Sequence, residues 1–184
     1  MSKVVVFTNL TLDGVMQAPG RPDEDRRGGF EHGGWATPYA AMAQAGNSMS
    51  STGALLLGRR TYEDFYAFWP NQSNNPYTEM LNNTQKYVAS TTLSEPLSWS
   101  NSTLLKGDAA EAVARLKEEP GKDLLIMGSG ELIQSLMRRN LVDEYMLLIH
   151  LLVPGAGRRL FTDGGACAAR TRSRSNHDGP TDVL

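Results

Sequence analysis

The chain has 184 residues, 40% of them hydrophobic, with 18 basic against 20 acidic side chains and a formal charge of −2. That is enough chain for one well-buried core, and it offers no basic field for a polyanion such as DNA. The single cysteine, Cys167, excludes an internal disulfide, and there is no Cys/His cluster with metal-ligand spacing.

Met1-Ser2-Lys3 leads directly into Val4-Val5-Val6-Phe7. This run is too short for a signal peptide, and no small-residue cleavage site follows it. The longest apolar stretch, Met146 to Val153, is interrupted by His150 and is far too short for a membrane span. With one cysteine and no leader, a cytoplasmic location is expected.

In chain order, Val4 to Phe7 reads as a strand buried on both faces. A polar, glycine-rich stretch from Asp13 to Trp35 follows, and loops of that length are often functional. Phe30 and Trp35 are placed either to stack on a planar substrate or to pack the loop itself. Thr37-Pro38 has the form of an N-cap followed by proline at the first helical position, with Tyr39, Met42 and Ala43 facing the core. Ala54 to Leu57 is a second strand, ended by Gly58. Tyr62, Phe65, Tyr66 and Trp69 then fall at helical spacing, with Pro70 closing the helix.

Asn71 to Pro76 reads as an asparagine-rich loop, Lys86 to Ser90 as a third strand and Thr103 to Leu105 as a fourth. Asp108 and Glu111 make a capping-box pattern ahead of Ala109, Ala112, Val113 and Leu116, and Pro120-Gly121 stops that helix. Leu124 to Met127 is a strongly apolar strand, and Leu132, Ile133, Leu136 and Met137 supply another helical stripe. Glu144 to His150 is the last strand, with Tyr145, Leu147 and Ile149 on one face and Met146 and Leu148 on the other. Strands alternating with helices predict a three-layer α-β-α domain with a central mixed, mostly parallel sheet.

Two strand-turn-helix junctions could carry chemistry. In Gly58-Arg59-Arg60-Thr61, unpaired N–H groups at a helix start meet two guanidinium groups and a hydroxyl. That combination suits a phosphate, although a tight turn with two solvated arginines would have the same sequence. The second junction, Gly128-Ser129-Gly130-Glu131-Leu132, could admit a pyrophosphate or a ribose. It is not a full G-x-G-x-x-G, because Ile133 stands three places after Gly130. Walker and G-x-S-x-G patterns are absent. His32, His150 and His177 are scattered, and His150 reads as a structural histidine. Asp13, in an Asp-Gly turn, is structural by default and a substrate-cleft carboxylate by the functional reading.

Five segments in register resemble the dihydrofolate-reductase-like superfamily, specifically the reductase domain of the bifunctional riboflavin-biosynthesis deaminase/reductase and its stand-alone bacterial relatives. They are Leu10 to Gly14, Leu57 to Glu63, Val88 to Thr91, Ile126 to Gly130 and Gly155 to Phe161. The resemblance implies an NADPH-dependent reductase of a small-molecule substrate, often a homodimer; charge, apolar runs and the scattered histidines give no reason to expect a nucleic-acid partner, a membrane or a metal. It implies that Gly58, Arg59, Arg60 and Thr61 hold the pyrophosphate or the 2′-phosphate, and that Ser90 and Thr91 sit by the adenosine ribose phosphate. It places Gly128, Ser129, Gly130 and Leu132 along the pyrophosphate and nicotinamide, with Asp13 in the substrate cleft as the catalytic candidate.

Two departures qualify the resemblance. Dihydrofolate reductase proper carries an acidic residue on its first long helix, whereas Tyr39 to Ala45 has none, which argues against folate as substrate. The family also finishes with a further strand or hairpin, whereas residues 166–184 are polar and lack a period of two. The reading is therefore a reductase domain over 1–165 and an atypical tail over 166–184. An altered end is preferred to a flexible native one, with a sheet edge left unpaired. The expected activity is hydride transfer to a small heterocyclic or carbonyl substrate, related to 5-amino-6-(5-phosphoribosylamino)uracil reductase. A non-catalytic nucleotide-binding or dimerisation module of the same fold is the alternative. A flavodoxin-like domain loses ground because Thr11-Leu12-Asp13-Gly14 is no phosphate-cradling loop.

Overall fold

Apolar side chains on both faces of each central strand call for cover on both sides of the sheet, and the chain supplies it with helices. The computed structural model describes residues 2–39, 52–73, 75–121 and 123–162. Its strands are β1 (Val4–Thr11), β2 (Thr52–Gly58), β3 (Gln85–Ala89), β4 (Ser102–Leu105), β5 (Asp123–Met127) and β6 (Glu144–His150). They lie in the order β4-β3-β2-β5-β1-β6, and every pairing is parallel. Where the sequence led us to expect a mixed sheet, the only antiparallel pairing among the described residues is the isolated bridge Val15 to Arg159.

The described helices are α1 (Arg59–Phe68), α2 (Pro76–Asn83), α3 (Ala109–Glu118) and α4 (Gly130–Arg138). Strand alternation divides the core between them. Val4, Val6, Leu56, Leu124 and Ile126 pack with Val113 of α3 and Leu132, Ile133 and Leu136 of α4. Val5, Phe7, Leu55, Leu57 and Leu125 pack on the other face with Tyr62 and Phe65 of α1 and Leu81 of α2. Leu55, Leu56 and Leu57 are fully buried. At about 1.5–3 kcal/mol for each buried side chain, they fix β2 in the middle of the sheet.

This order dictates where a ligand can sit. β2 and β5 are neighbours, yet the chain leaves them in opposite directions and on opposite faces. After β2 it runs through α1 and α2 to β3, and after β5 it runs through α4 to β6. Such a switch point opens a crevice beyond the carboxyl ends of the two strands.

Helix starts follow local chemistry, with one difference from expectation. The Asp108 carboxylate accepts the Glu111 N–H at 3.0 Å, as the capping-box pattern predicted. α2 begins where the sequence read a loop: Asn75 Oδ1 accepts the Tyr77 N–H at 3.0 Å, with Pro76 in the first turn. Thr37–Tyr39 forms a 3-10 turn in which the Thr37 hydroxyl donates to the Gly20 carbonyl, and the helix expected after Pro38 runs into residues 40–51, which lie outside the described residues. Met42 and Ala43 lie outside the described residues. The far end of α2 is closed by buried Lys86, whose Nζ donates to the carbonyls of Leu81 and Thr84, both at 2.6 Å, beneath the Trp99 ring. Burial pushes the Lys86 pKa down to about 8.

At the opposite edge β6 pairs with β1, and Met146 and Ile149 are exposed there. The tail expected to be altered, 166–184 with Cys167, lies outside the described residues. Among the described residues no helix is long and apolar enough to cross a membrane.

Candidate functional site

The crevice at the switch point is a cleft of about 1580 Å³. Gly58, Arg59, Arg60, Thr61, Ser90, Thr91, Gly128, Ser129, Gly130 and Leu132 all line it. The two glycine junctions, 70 residues apart in sequence, are hydrogen-bonded to each other. The Gly58 N–H donates to Ser129 Oγ at 3.0 Å, and the Ser129 N–H donates to Thr61 Oγ1 at 3.1 Å. Ser129 Oγ in turn donates to the Met127 carbonyl at 3.1 Å.

That lacing needs particular residues. Gly128 has φ +58, and a Cβ there would approach Thr61 Oγ1 to 3.2 Å. A Cβ on Gly130 would meet Met16 Sδ at 2.7 Å, so a larger residue would push the long loop away from α4. Ser129 itself adopts a left-handed conformation, φ 56 and ψ 42.

The lacing leaves both helix starts without caps. Gly58 has no side chain, and the Ser129 hydroxyl is committed to Met127 and Gly58, so neither α1 nor α4 receives a side-chain cap. The starts of α2 and α3 are capped by Asn75 and Asp108. The uncapped pair, side by side, present two sets of unpaired N–H groups and two positive dipole ends to the cleft.

The charged groups follow from this. Arg59 makes an i,i+4 pair with Glu63 at 3.2 Å, and Arg60 lies 3.9 Å from Glu131; both arginines are substantially exposed and free to turn toward a ligand. Ser90 Oγ accepts the N–H groups of Thr92 and Leu93, closing the turn after β3 and holding Thr91 on the cleft wall.

Asp13 is placed differently. Its carboxylate accepts from Thr11 Oγ1 at 2.6 Å and from the Gly155 N–H at 3.2 Å, and it lies 3.6 Å from Arg159. The Thr11 hydroxyl bond holds its pKa below the usual carboxylate value. Asp13 is not among the residues that line the cleft; its geometry ties the end of β1 to the chain near Gly155.

Phe30 and Trp35 also turn away from any ligand. Phe30 is buried with Val15 and Ala18, and Trp35 Nε1 donates to the Gln17 carbonyl at 2.8 Å. They pack the loop, the second of the two options in the sequence. His150 is structural as read: it bonds Asn9 Oδ1 at 2.9 Å between the rings of Trp35 and Tyr39, and burial lowers its pKa.

The sequence reading missed Glu24 and the group formed by Arg27, Glu131 and Arg158, all of which line the cleft. Only the excess of charge between Asp23 and Arg27 hinted at them. Among the described residues no cluster of His, Cys, Asp or Glu could hold a metal ion.

A model of the RibD C-terminal domain family matches residues 2–184. The chain belongs to this family. Two relatives from Bacillus subtilis (strain 168) are uncharacterized proteins. YyaP is 32% identical over 59% of this chain and 59% of its own length, and YwjB is 27% identical over 86% and 82%. The chain thus spans less than two thirds of the first relative's length. Among solved structures, the putative riboflavin biosynthesis protein from Shewanella sp. PV-4 superposes with a TM-score of 0.58 at 23% identity, covering 88% of this chain and 84% of that one. The dihydrofolate reductase from Enterococcus faecalis, complexed with NADP(H), gives 0.51 at 14% identity, covering 88% and 77%. At those identities the two structures speak for the fold. The comparisons thus show membership of the RibD C-terminal domain family and a dihydrofolate-reductase-like fold.

The lacing makes a direct prediction. Thr61→Val keeps the shape but leaves the Ser129 N–H without its acceptor, at a cost of about 1–3 kcal/mol. Chemical denaturation should show that loss for Thr61→Val, with Thr61→Ser close to wild type. Equal stability of all three would mean the bond does not fasten the junctions.

Proposed function

We propose that the chain is an NADPH-dependent reductase of a small heterocyclic or carbonyl substrate, with chemistry related to that of 5-amino-6-(5-phosphoribosylamino)uracil reductase. One observation carries the reading: two uncapped helix N-termini lie side by side at the switch point, where the anionic centre of a dinucleotide would satisfy both. The occurrence of this fold with NADP(H) in the Enterococcus faecalis enzyme supports it. The cofactor supplies hydride when bound. Arg59 and Arg60 supply forked donors for phosphate, Gly58 and Gly128 let the backbone come close, and Ser90 and Thr91 offer hydroxyls on the ribose side.

Adding hydride to a C=O or C=N carbon leaves charge on the heteroatom, which must take up a proton. Five carboxylates line the cleft among the described residues: Glu24, Asp25, Glu63, Asp64 and Glu131. Four of them are ion-paired, Asp25 with Arg27, Glu63 with Arg59, Asp64 with Arg21, and Glu131 with Arg158. The carboxylate of each of these four is already engaged by a guanidinium group. Among the described residues Glu24 makes no ion pair and its Oε1 has no hydrogen-bond partner. Its Oε2 accepts the N–H groups of Gly20 and Arg21, and burial raises its pKa. Glu24 is the acid this reading assigns.

Two experiments test the reading. NADPH oxidation should be measured with a panel of pterin, pyrimidine and quinone substrates, with binding compared in the double variant Arg59→Ala, Arg60→Ala. NADPH affinity should fall in the variant, together with NADH affinity if the arginines hold the diphosphate and more than NADH affinity if they hold the 2′-phosphate; unchanged affinity for both would remove the phosphate role, and binding without oxidation across the panel would favour a nucleotide-binding module. Glu24→Gln should lower kcat by about 10²–10⁴-fold. It should also abolish the fall in rate that wild type shows as pH rises through the Glu24 pKa, because only the protonated acid donates. A variant that kept the wild-type pH profile would exclude Glu24.

A further inference from the structure

Three guanidinium groups converge on one carboxylate oxygen at the lip of the cleft. Glu131 Oε1 accepts from Arg158 Nη1 at 2.7 Å and from Arg27 Nη1 at 3.4 Å, and lies 3.9 Å from Arg60 Nη1. The arginines come from three separate segments: the long loop, the first turn of α1 and the stretch after β6.

Two of the arms are anchored. Gln17 is buried, and its side-chain amide holds the backbone of both. Nε2 donates to the Arg27 carbonyl at 2.9 Å, and Oε1 accepts the Arg158 N–H at 2.9 Å. The Met16 N–H adds a bond to the Arg158 carbonyl at 2.9 Å. Arg27 is also braced through its side chain by Asp25.

The carboxylate they share is the loose member. The Glu131 side chain is 74% exposed and, among the described residues, meets no other partner than these arginines. A surface ion pair contributes little, and three like charges drawn to one site repel unless enough negative charge lies between them. Among the described residues Arg60 and Arg158 have no other acidic ion-pair partner. Two carboxylates, Glu131 and Asp25, therefore face three arginines, and the centre remains positive in a chain whose net charge is −2. Beside it are the unpaired N–H groups at the start of α4.

We propose that Arg27, Arg60 and Arg158 form a clamp for a phosphoryl group of the bound ligand, and that Glu131 occupies the clamp until that group displaces it. Forked guanidinium donors match phosphate geometry, and a group of higher charge outcompetes a single carboxylate. The phosphoryl group is either the dinucleotide's diphosphate or a phosphate on the substrate. The clamp deepens the reductase reading and rests on it only in that the cleft takes a ligand.

The test is calorimetric titration of inorganic diphosphate into wild type, Glu131→Gln and Arg158→Gln, with circular dichroism confirming that each variant folds. Removing the internal competitor should tighten diphosphate binding several-fold, whereas Arg158→Gln should weaken it about ten-fold or more. Arg158→Lys, which keeps the charge without the fork, should fall between. If Glu131→Gln weakened binding or left it unchanged, Glu131 would be a brace for the arginines and the proposal would be overturned. An unchanged affinity in Arg158→Gln would overturn it as well.

Two further arms identify the source. A clamp on the dinucleotide's diphosphate makes Arg158→Gln weaken NADPH and NADH by the same factor. A clamp on a substrate phosphate leaves both unchanged and weakens inorganic phosphate binding to the NADPH-loaded protein. Should NADPH not bind at all, the diphosphate titration still tests the clamp, so failure of the cofactor reading and failure of the clamp are told apart.

Discussion

Two hydrogen bonds, Gly58 N–H to Ser129 Oγ and Ser129 N–H to Thr61 Oγ1, fasten the crossovers that leave the sheet on opposite faces. They close the gap between β2 and β5 at the point where the chain order reverses. Because the Ser129 hydroxyl is spent on this joint, it cannot cap α4, and because Gly58 has no side chain it cannot cap α1. The joint thus holds two positive helix ends together and keeps both unsatisfied. An uncapped helix start costs on the order of 1 kcal/mol, and a cleft with two of them is preorganised for an anion rather than for stability.

The long loop serves that cleft from the other side. Its aromatic residues go inward, Phe30 against Val15 and Ala18 and Trp35 onto the Gln17 carbonyl, so the loop packs as a small core of its own. That core lets a segment with little regular structure hold Glu24, Asp25 and Arg27 in fixed places on the wall. Charge is managed pairwise there: Arg21 with Asp64, Arg27 with Asp25, Arg59 with Glu63. Against that background an unpaired acid at Glu24 and a surplus of arginine around Glu131 are the two departures from balance, and each matches a requirement of reducing an anionic substrate or holding an anionic cofactor.

Local signals in the chain carried much of the fold. All six strands lie where the sequence placed strands, most plainly β1, β2 and β5, whose buried cores are unbroken apolar runs. The Asp108 to Glu111 spacing located α3. Asn75-Pro76, which read as part of a loop, starts a helix of eight residues, because the Asn75 side chain accepts the Tyr77 N–H. The glycine junctions were legible as strand-to-helix turns, but their contact was not, since it depends on strand order and brings together residues 70 apart. For the same reason Asp13 read as a cleft residue; its partners, Gly155 and Arg159, lie more than 140 positions away. Glu24 and Arg27 carry no motif at all, and only the folded loop gives them neighbours.

The central claim is that the paired starts of α1 and α4 receive the cofactor's phosphates. An NMR titration of isotope-labelled protein with NADPH reads it most directly, through the backbone amide signals of Arg60, Thr61, Glu131 and Leu132. The account predicts that these four shift together and saturate at one equivalent, ahead of signals elsewhere in the sheet. If they stayed in place while NADPH shifted amides elsewhere, such as those of β6, the uncapped helix starts would not be the phosphate site and the account would fail.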